Sequence, residues 1–208
     1  LFRSFPESWA ERLRRVGLHD VTSAGLTINY RTPEEIMDAA APVIRAALPD
    51  ANVPTSVRRA GIPVTYGDRA GLDTVVDDWT STHPDGIACV IGEPGFAGTD
   101  RVRSLTPTLA KGLEFDVVFL SGLEEGLFPH ENSMSDNDGL EEERRLMYVA
   151  ITRARKRLYL SHAQTRMLHG QTRYHIKSRF LEELPEEALK WITPKRSAFA
   201  NIPASFSG

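Results

Sequence analysis

Three groups of residues in this sequence have the types and spacing to handle a nucleotide. Tyr30 and Arg31 close an alternating run, LTINYR; Lys111, Gly112 and Glu114 lie between two strand-like runs; Arg153 lies near the end of the stretch LEEERRLMYVAITRAR. An aromatic ring beside a guanidinium suits a nucleoside phosphate, the ring stacking on the base while the planar fork takes phosphate oxygens. A second arginine, delivered by a different element, can stabilise charge on a transferring phosphoryl group. Each residue also has a plainer reading. Tyr30 can be a strand-end aromatic packed on its neighbours and Arg31 a surface cation. Lys111 can serve a turn in which Gly112 takes a positive φ, and Arg153 can satisfy carbonyls at a helix end. Their joint occurrence, in this order along the chain, favours the site.

Such residues need a framework, and the periodicity supplies one. Ser8 to Val16 reads as a short amphipathic helix with Trp9, Leu13 and Val16 on one side. LTINY reads as a strand. In RTPEEIMDAAAPVIRAAL, Thr32 is placed to cap a helix, with Pro33 at its first position and Glu35 three residues after the cap. Ile36, Ala39, Ala40, Val43 and Ala47 give that helix an apolar face, and Pro42 is expected to bend it. IPVTYG, LDTVVDDWTSTH and GIACVIG read as strand, helix and strand; VRSLT and DVVFLSG add two strands, the second apolar enough for a sheet covered on both faces. Leu123 to Gly139 reads as surface loop. LEEERRLMYVAITRAR follows as a helix with acids in its first turn and bases in its last, RLYLSHA as a strand and SRFLEEL as a closing helix. The pattern predicts a three-layer α/β domain with a mainly parallel sheet, in which ligands gather at the carboxyl ends of the strands. Residues 1–25 are read as a lead-in, 26–192 as the domain and 193–208 as a flexible tail.

Composition narrows the function classes. With 208 residues, 41% hydrophobic and 25% charged, the chain is of ordinary globular type, which excludes collagen, global disorder and a coiled coil. No apolar run approaches the roughly 20 residues needed to cross a bilayer, and the opening LFRSFPESWAERLRR lacks the apolar core of a signal peptide. The expectation is a soluble, cytoplasmic chain with no membrane partner. The single cysteine, Cys89, sits in the apolar run IACVIG and reads as a small buried hydrophobe, so neither a disulfide nor a metal site is expected. Net charge is -3, which argues against nucleic-acid binding by bulk basicity. The distribution says otherwise: the 36 residues from Arg144 to Arg179 hold ten Lys or Arg and no acid, leaving 15 bases against 28 acids elsewhere. A stretch that long points to a polyanion site.

LTINYR, TPTLAKGLEFDVVFL and EEERRLMYVAITRAR resemble motifs IV, V and VI of the superfamily 1 helicases of the UvrD, Rep and PcrA type. The stretch from GLEEGLFPH to SRFLEELPEE is similar to that group almost throughout, whereas Leu26 to Asp116 looks closer to the HelD branch, whose members bind RNA polymerase; the mixture fits a divergent member or a chimeric sequence. The resemblance implies a RecA-like fold and ATP with Mg2+ as cofactor. It implies that Tyr30 stacks on adenine, that Arg31 reaches the γ-phosphate, that Glu114 contacts the ribose and that Arg153 is the arginine finger. Thr106, Thr108 and Lys111 would lie near single-stranded DNA, although UvrD-type helicases usually carry His where this chain has Thr108. Gly112 would complete the nucleotide-side turn. The sequence contains no Gly-Lys dipeptide, so no P-loop, and no Asp-Glu pair of Walker B type. The resemblance therefore covers only the second RecA-like domain, with Mg2+ held by a first RecA-like domain carrying Walker A as the required partner. The 79 residues between Arg31 and Lys111 are too few for the large insertion of UvrD-type enzymes. The expected function is the C-terminal half of an ATP-dependent DNA helicase or translocase at the nucleoid, inactive alone. The alternatives are a domain of a HelD-like RNA polymerase-associated ATPase and an interaction module with no nucleotide role.

Overall fold

The computed structural model describes residues 9–20, 22, 25–93, 95–135, 138–168 and 171–192. Residues 1–8 of the expected lead-in and the whole of the expected tail, 193–208, lie outside these. Among the described residues no helix is long and apolar enough to cross a membrane.

The strands are β1 (Ile28–Asn29), β2 (Thr55–Ser56), β3 (Val64–Asp68), β4 (Ala88–Ile91), β5 (Val102–Leu105), β6 (Phe115–Leu120), β7 (Ala154–His162), β8 (Thr165–Leu168), β9 (Gln171–Tyr174) and β10 (Leu189–Trp191). The helices are α1 (Trp9–Arg15), α2 (Glu34–Ala47), α3 (Leu72–Thr82) and α4 (Gly139–Ile151). Six strands form one parallel sheet in the order β10-β3-β7-β6-β4-β5. Helices α2 and α4 cover one face, burying Ile36, Val43, Met147 and Ile151 against Val118, Leu120, Leu158 and Leu160. On the other face α3 lays Leu72, Val76 and Trp79 on Val90, Val117 and Phe119. Strand β6 shows why its sequence is apolar without alternation: Val118 and Leu120 serve one core, Val117 and Phe119 the other. This is the expected three-layer α/β domain.

Several local expectations need correction. LTINY gives only a two-residue strand, β1, paired with β2 in a separate ribbon, because Leu26, Ile28 and Tyr30 face outward. Thr32 is fully buried with its hydroxyl unbonded, and Pro33 takes the cap position of α2; the first helical N–H, from Glu34, is satisfied by the Arg58 carbonyl at 2.8 Å. Glu35 turns from the cap to accept from the N–H groups of Ala60 and Gly61. Helix α4 stops at Ile151, before the bases expected in its last turn. SRFLEEL forms one 3-10 turn, Arg179–Leu181, started by Ser178 and cut short ahead of Pro185. The hairpin β8–β9 and the edge strand β10 were not legible as elements.

Candidate functional site

The parallel sheet has two edges, and the residues singled out by the sequence divide between them. At the amino edge, Phe115 of β6 is in register with Ala154 of β7, so the residues just before them, Glu114 and Arg153, are neighbours. The Phe115 N–H donates to the Arg153 carbonyl at 3.0 Å. Helix α4 delivers Arg153 here because it runs back over the sheet and ends at the start of β7. The guanidinium is then fixed three ways: Nε donates to the Val149 carbonyl at 3.0 Å, Nη1 to the Leu113 carbonyl at 3.2 Å and Nη2 to Thr152 Oγ1 at 3.3 Å. Arg153 thus does satisfy a helix-end carbonyl, and that bond holds it beside Arg31.

Arg31 is placed by its backbone. Asn29 Oδ1 accepts from the N–H groups of Arg31 and Thr32 at 2.9 and 3.1 Å, and Arg58 Nη1 donates to the Arg31 carbonyl at 3.1 Å. The Arg31 side chain pairs with Glu114, Nη1 to Oε1 at 2.6 Å. Half-burial, then the nearby positive charge of Arg31, push the Arg153 pKa below the ordinary arginine value, while Glu114 works upward. Burial raises the Tyr148 phenol against the opposing pull of Arg153 and Arg31. Two like charges close enough to feel one another, with a single carboxylate beside them, suit an anion. Tyr30, 74% exposed, presents an open ring next in sequence to Arg31 and is not packed away as a strand-end aromatic. Gly112 has φ +78, the expected left-handed turn position. Lys111 lies on this stretch but turns toward α4, with Nζ 3.8 Å from Glu142 Oε1.

At the carboxyl edge a groove of about 900 Å³ runs along the strand ends. It is lined by Arg69 after β3, Glu93 after β4, Thr106 and Thr108 after β5, and Arg166 and His130. Its floor is tight: a Cβ on Gly92, at φ +83, would lie 2.4 Å from the Ser121 carbonyl oxygen. The Thr106 hydroxyl accepts from the Leu109 N–H at 3.3 Å, so it organises the turn as well as facing the groove. In the groove wall Arg166 is clamped between two acids, donating to Glu93 from Nη1 and Nη2 at 3.0 and 3.1 Å and to Glu124 from Nε at 2.7 Å. Burial pushes the Glu93 carboxyl up, but the Arg166 bonds and charge outweigh it and hold the pKa below the usual carboxylate value. Sequence reasoning missed Arg69, Glu93, Glu124 and Arg166. The available signal was position: Arg69 and Glu93 directly follow strands, where parallel sheets bind ligands.

Two expectations are corrected by this geometry. The arginine cluster lies at the amino edge, not at the carboxyl ends, because α4 and the turn before β6 both finish there. The basic run is not a continuous basic face either. Arg144 pairs with Glu183, Arg145 with Glu142, Lys156 with Asp116, Arg166 with Glu93 and Glu124, and Arg179 with Glu125. A smaller cationic patch survives where Arg173 and Lys177 are exposed around Tyr174 and Ile176, themselves 88% and 75% exposed. An exposed aromatic among bases is a stacking platform for unpaired nucleobases.

Comparison with known proteins finds helicase similarity over part of the chain. Residues 96–165 match the family described as the UvrD-like helicase C-terminal domain. The UvrD-like stretch contains Thr106, Thr108, Lys111, Gly112, Glu114 and Arg153, while Tyr30 and Arg31 precede it. The chain is 48% identical over 108 residues to ATP-dependent DNA helicase PcrA of Bacillus subtilis, covering 52% of this chain and 15% of that protein. It is 52% identical over 91 residues to DNA helicase II of Escherichia coli, covering 44% and 13%. Against ATP-dependent DNA helicase UvrD1 of Mycobacterium tuberculosis it is 48% identical over 111 residues, covering 53% and 14%. The chain spans only about a seventh of these relatives' length. A solved C-terminal domain of a possible DNA helicase from Lactobacillus superposes with a TM-score of 0.49 at 19% identity, over 78% of this chain and 98% of that one. The sequence relatives are DNA helicases and lend no support to the RNA polymerase-associated alternative.

Proposed function

We propose that this chain is the second RecA-like half of an ATP-dependent DNA helicase or translocase, completing an ATP site against a first half and carrying single-stranded DNA across its own carboxyl edge. One observation carries the reading. The nine residues Thr106 to Glu114 begin in the groove at the carboxyl edge and end in the guanidinium cluster at the amino edge. Strand contact and nucleotide contact thus share one short segment, which is what coupling hydrolysis to movement requires.

The amino edge fits a triphosphate: an open ring at Tyr30, two converging guanidiniums, and a carboxylate, Glu114, within reach of a ribose. Arg31 is held by Glu114 in a half-exposed pair worth about 0–1 kcal/mol, so a phosphate oxygen can replace that partner at little cost. Arg153 is held by carbonyls and keeps its fork in place as the halves close, neutralising charge on the transferring phosphoryl group. Gly112 sets the turn that delivers Glu114. Among the described residues no group of His, Cys, Asp and Glu could hold a metal ion; Mg2+ would be held, and the phosphates cradled, by the partner half. On the other edge Thr106 and Thr108 line the groove on the DNA side of the segment, while Lys111, nearer the amino edge, is turned toward Glu142 of α4 and would reach the strand only by leaving that pair. Tyr30→Ala tests the nucleotide assignment in the assembled motor. Loss of a stacking platform worth about 1–3 kcal/mol raises the half-saturating ATP concentration more than it lowers kcat; an unchanged ATP requirement would count against it.

A further inference from the structure

We propose that Arg69 is a releasable phosphate-binding cation in the carboxyl-edge groove, gripping the sugar–phosphate backbone of a single strand; this rests on the nucleic-acid reading above. Arg69 is the first residue after β3, in a 3-10 turn (Arg69–Gly71) fixed by the Asp68 carboxylate, which accepts from the Ala70 N–H at 2.8 Å. It lines the same groove as Thr106 and Thr108. Its side chain is 25% exposed and held by two partial contacts: Nε 3.3 Å from Glu93 Oε2, and Nη1 3.2 Å from Asp73 Oδ2, whose side chain is 65% exposed. Arg166, in contrast, is 15% exposed and clamped between Glu93 and Glu124. Glu93 decides which arginine can move. It receives both Nη groups of Arg166 and the Ser121 hydroxyl at 3.0 Å, so it stays compensated when Arg69 swings away. Asp73, being in water, loses little. The guanidinium fork that leaves them matches two phosphate oxygens, and Arg166 remains as the fixed cation in the groove wall.

The test is fluorescence anisotropy of a labelled oligo-dT strand titrated with the full chain across a series of salt concentrations, with an oligo-rU arm to separate DNA from RNA. Each phosphate neutralised on a single strand contributes about 0.7 to the magnitude of the slope of log affinity against log salt. Arg69→Gln is expected to weaken binding and reduce that magnitude by about 0.7, while Arg69→Lys retains the slope. Asp73→Asn removes the competing acid without touching the groove floor and is expected to tighten binding at low salt. A purely structural role for Arg69 would lower the melting temperature without changing the slope. Wild-type slope and affinity in Arg69→Gln, or weaker binding in Asp73→Asn, would overturn the proposal while leaving the helicase reading intact. Salt-independent or absent binding by the wild-type chain, alone and with the first half added, would overturn both.

Discussion

Replacing Arg153 by alanine separates stability, whose loss the hydrogen bonds of the structure scale, from catalysis, whose loss follows from the arginine-finger role proposed above. Three hydrogen bonds are lost, but the Val149 carbonyl keeps the Thr152 hydroxyl at 3.1 Å and Thr152 keeps its own bonds, so the Leu113 carbonyl is the principal orphan. One such loss costs about 1–2 kcal/mol, and removal of the charge facing Arg31 offsets part of it. In a domain of this size that is a fall in Tm of about 2–8 °C. The catalytic cost is of another order: an arginine finger contributes about 10³–10⁵ in rate. The assay is DNA-stimulated ATP turnover of the motor assembled with a Walker A half, alongside thermal melts of this chain alone. The expectation is a modestly destabilised, folded domain whose motor turns over at least about a thousandfold slower. Arg153→Lys keeps the charge but not the fork and falls between. Turnover within tenfold of wild type in the alanine variant would refute the assignment of Arg153 to the reacting phosphate.

Other perturbations have equally definite outcomes. Glu93→Gln removes the charge of one of two acids clamping the half-buried Arg166; breaking such a pair costs about 3 kcal/mol, read by chemical denaturation, and a change under about 0.5 kcal/mol would show the clamp to be idle. Gly112→Ala meets open space and pays only left-handed strain of about 1–2 kcal/mol. Gly92→Ala adds a Cβ 2.4 Å from a backbone oxygen and is expected to be distinctly worse; equal melts for the two would contradict the tight floor. Acid should weaken the fold in two windows. Burial holds the His162 pKa below 6.5, with its Nδ1 bonded to the Tyr66 hydroxyl, so its contribution is full above that value and declines as pH falls through the depressed one. Glu93, Glu125 and Asp116, all held below their ordinary values, extend the loss below about pH 4.5. A His162→Phe variant with an unchanged pH profile of Tm between 7 and 5 would remove His162 from that account.

How much of this was written in the sequence depends on whether local pattern or tertiary context decides a residue's place. The central strands and α2 to α4 were legible because their apolar periodicity is what the two cores use: Ile36, Ala39, Ala40, Val43 and Ala47 are all buried as the helical face demands. Strand β10, three residues beside charged neighbours, exists because the β3 edge offers it pairing, which no local pattern records. The basic run misled because acids far away in sequence, Glu93 and Glu124 for Arg166 and Asp116 for Lys156, fold onto it. Tyr30, Arg31, Glu114 and Arg153 stood out by type and order, but the approach of Arg31, Glu114 and Arg153 at the amino edge depends on where α4 ends. Arg69 and Glu93 were overlooked for the opposite reason: single charged residues in turn-rich connectors carry only the signal of following a strand, and the sheet alone sets them side by side.

The most direct test of the coupled motor-half account is anisotropy of a labelled single strand titrated with this chain, with and without a first RecA-like half and a non-hydrolysable ATP analogue. Binding is expected to be salt-sensitive, to tighten only when both the partner half and the analogue are present, and to lose that tightening in Arg31→Ala and Arg153→Ala. Strand binding indifferent to the partner and to nucleotide would contradict the claim that the segment from Thr106 to Glu114 joins the two edges.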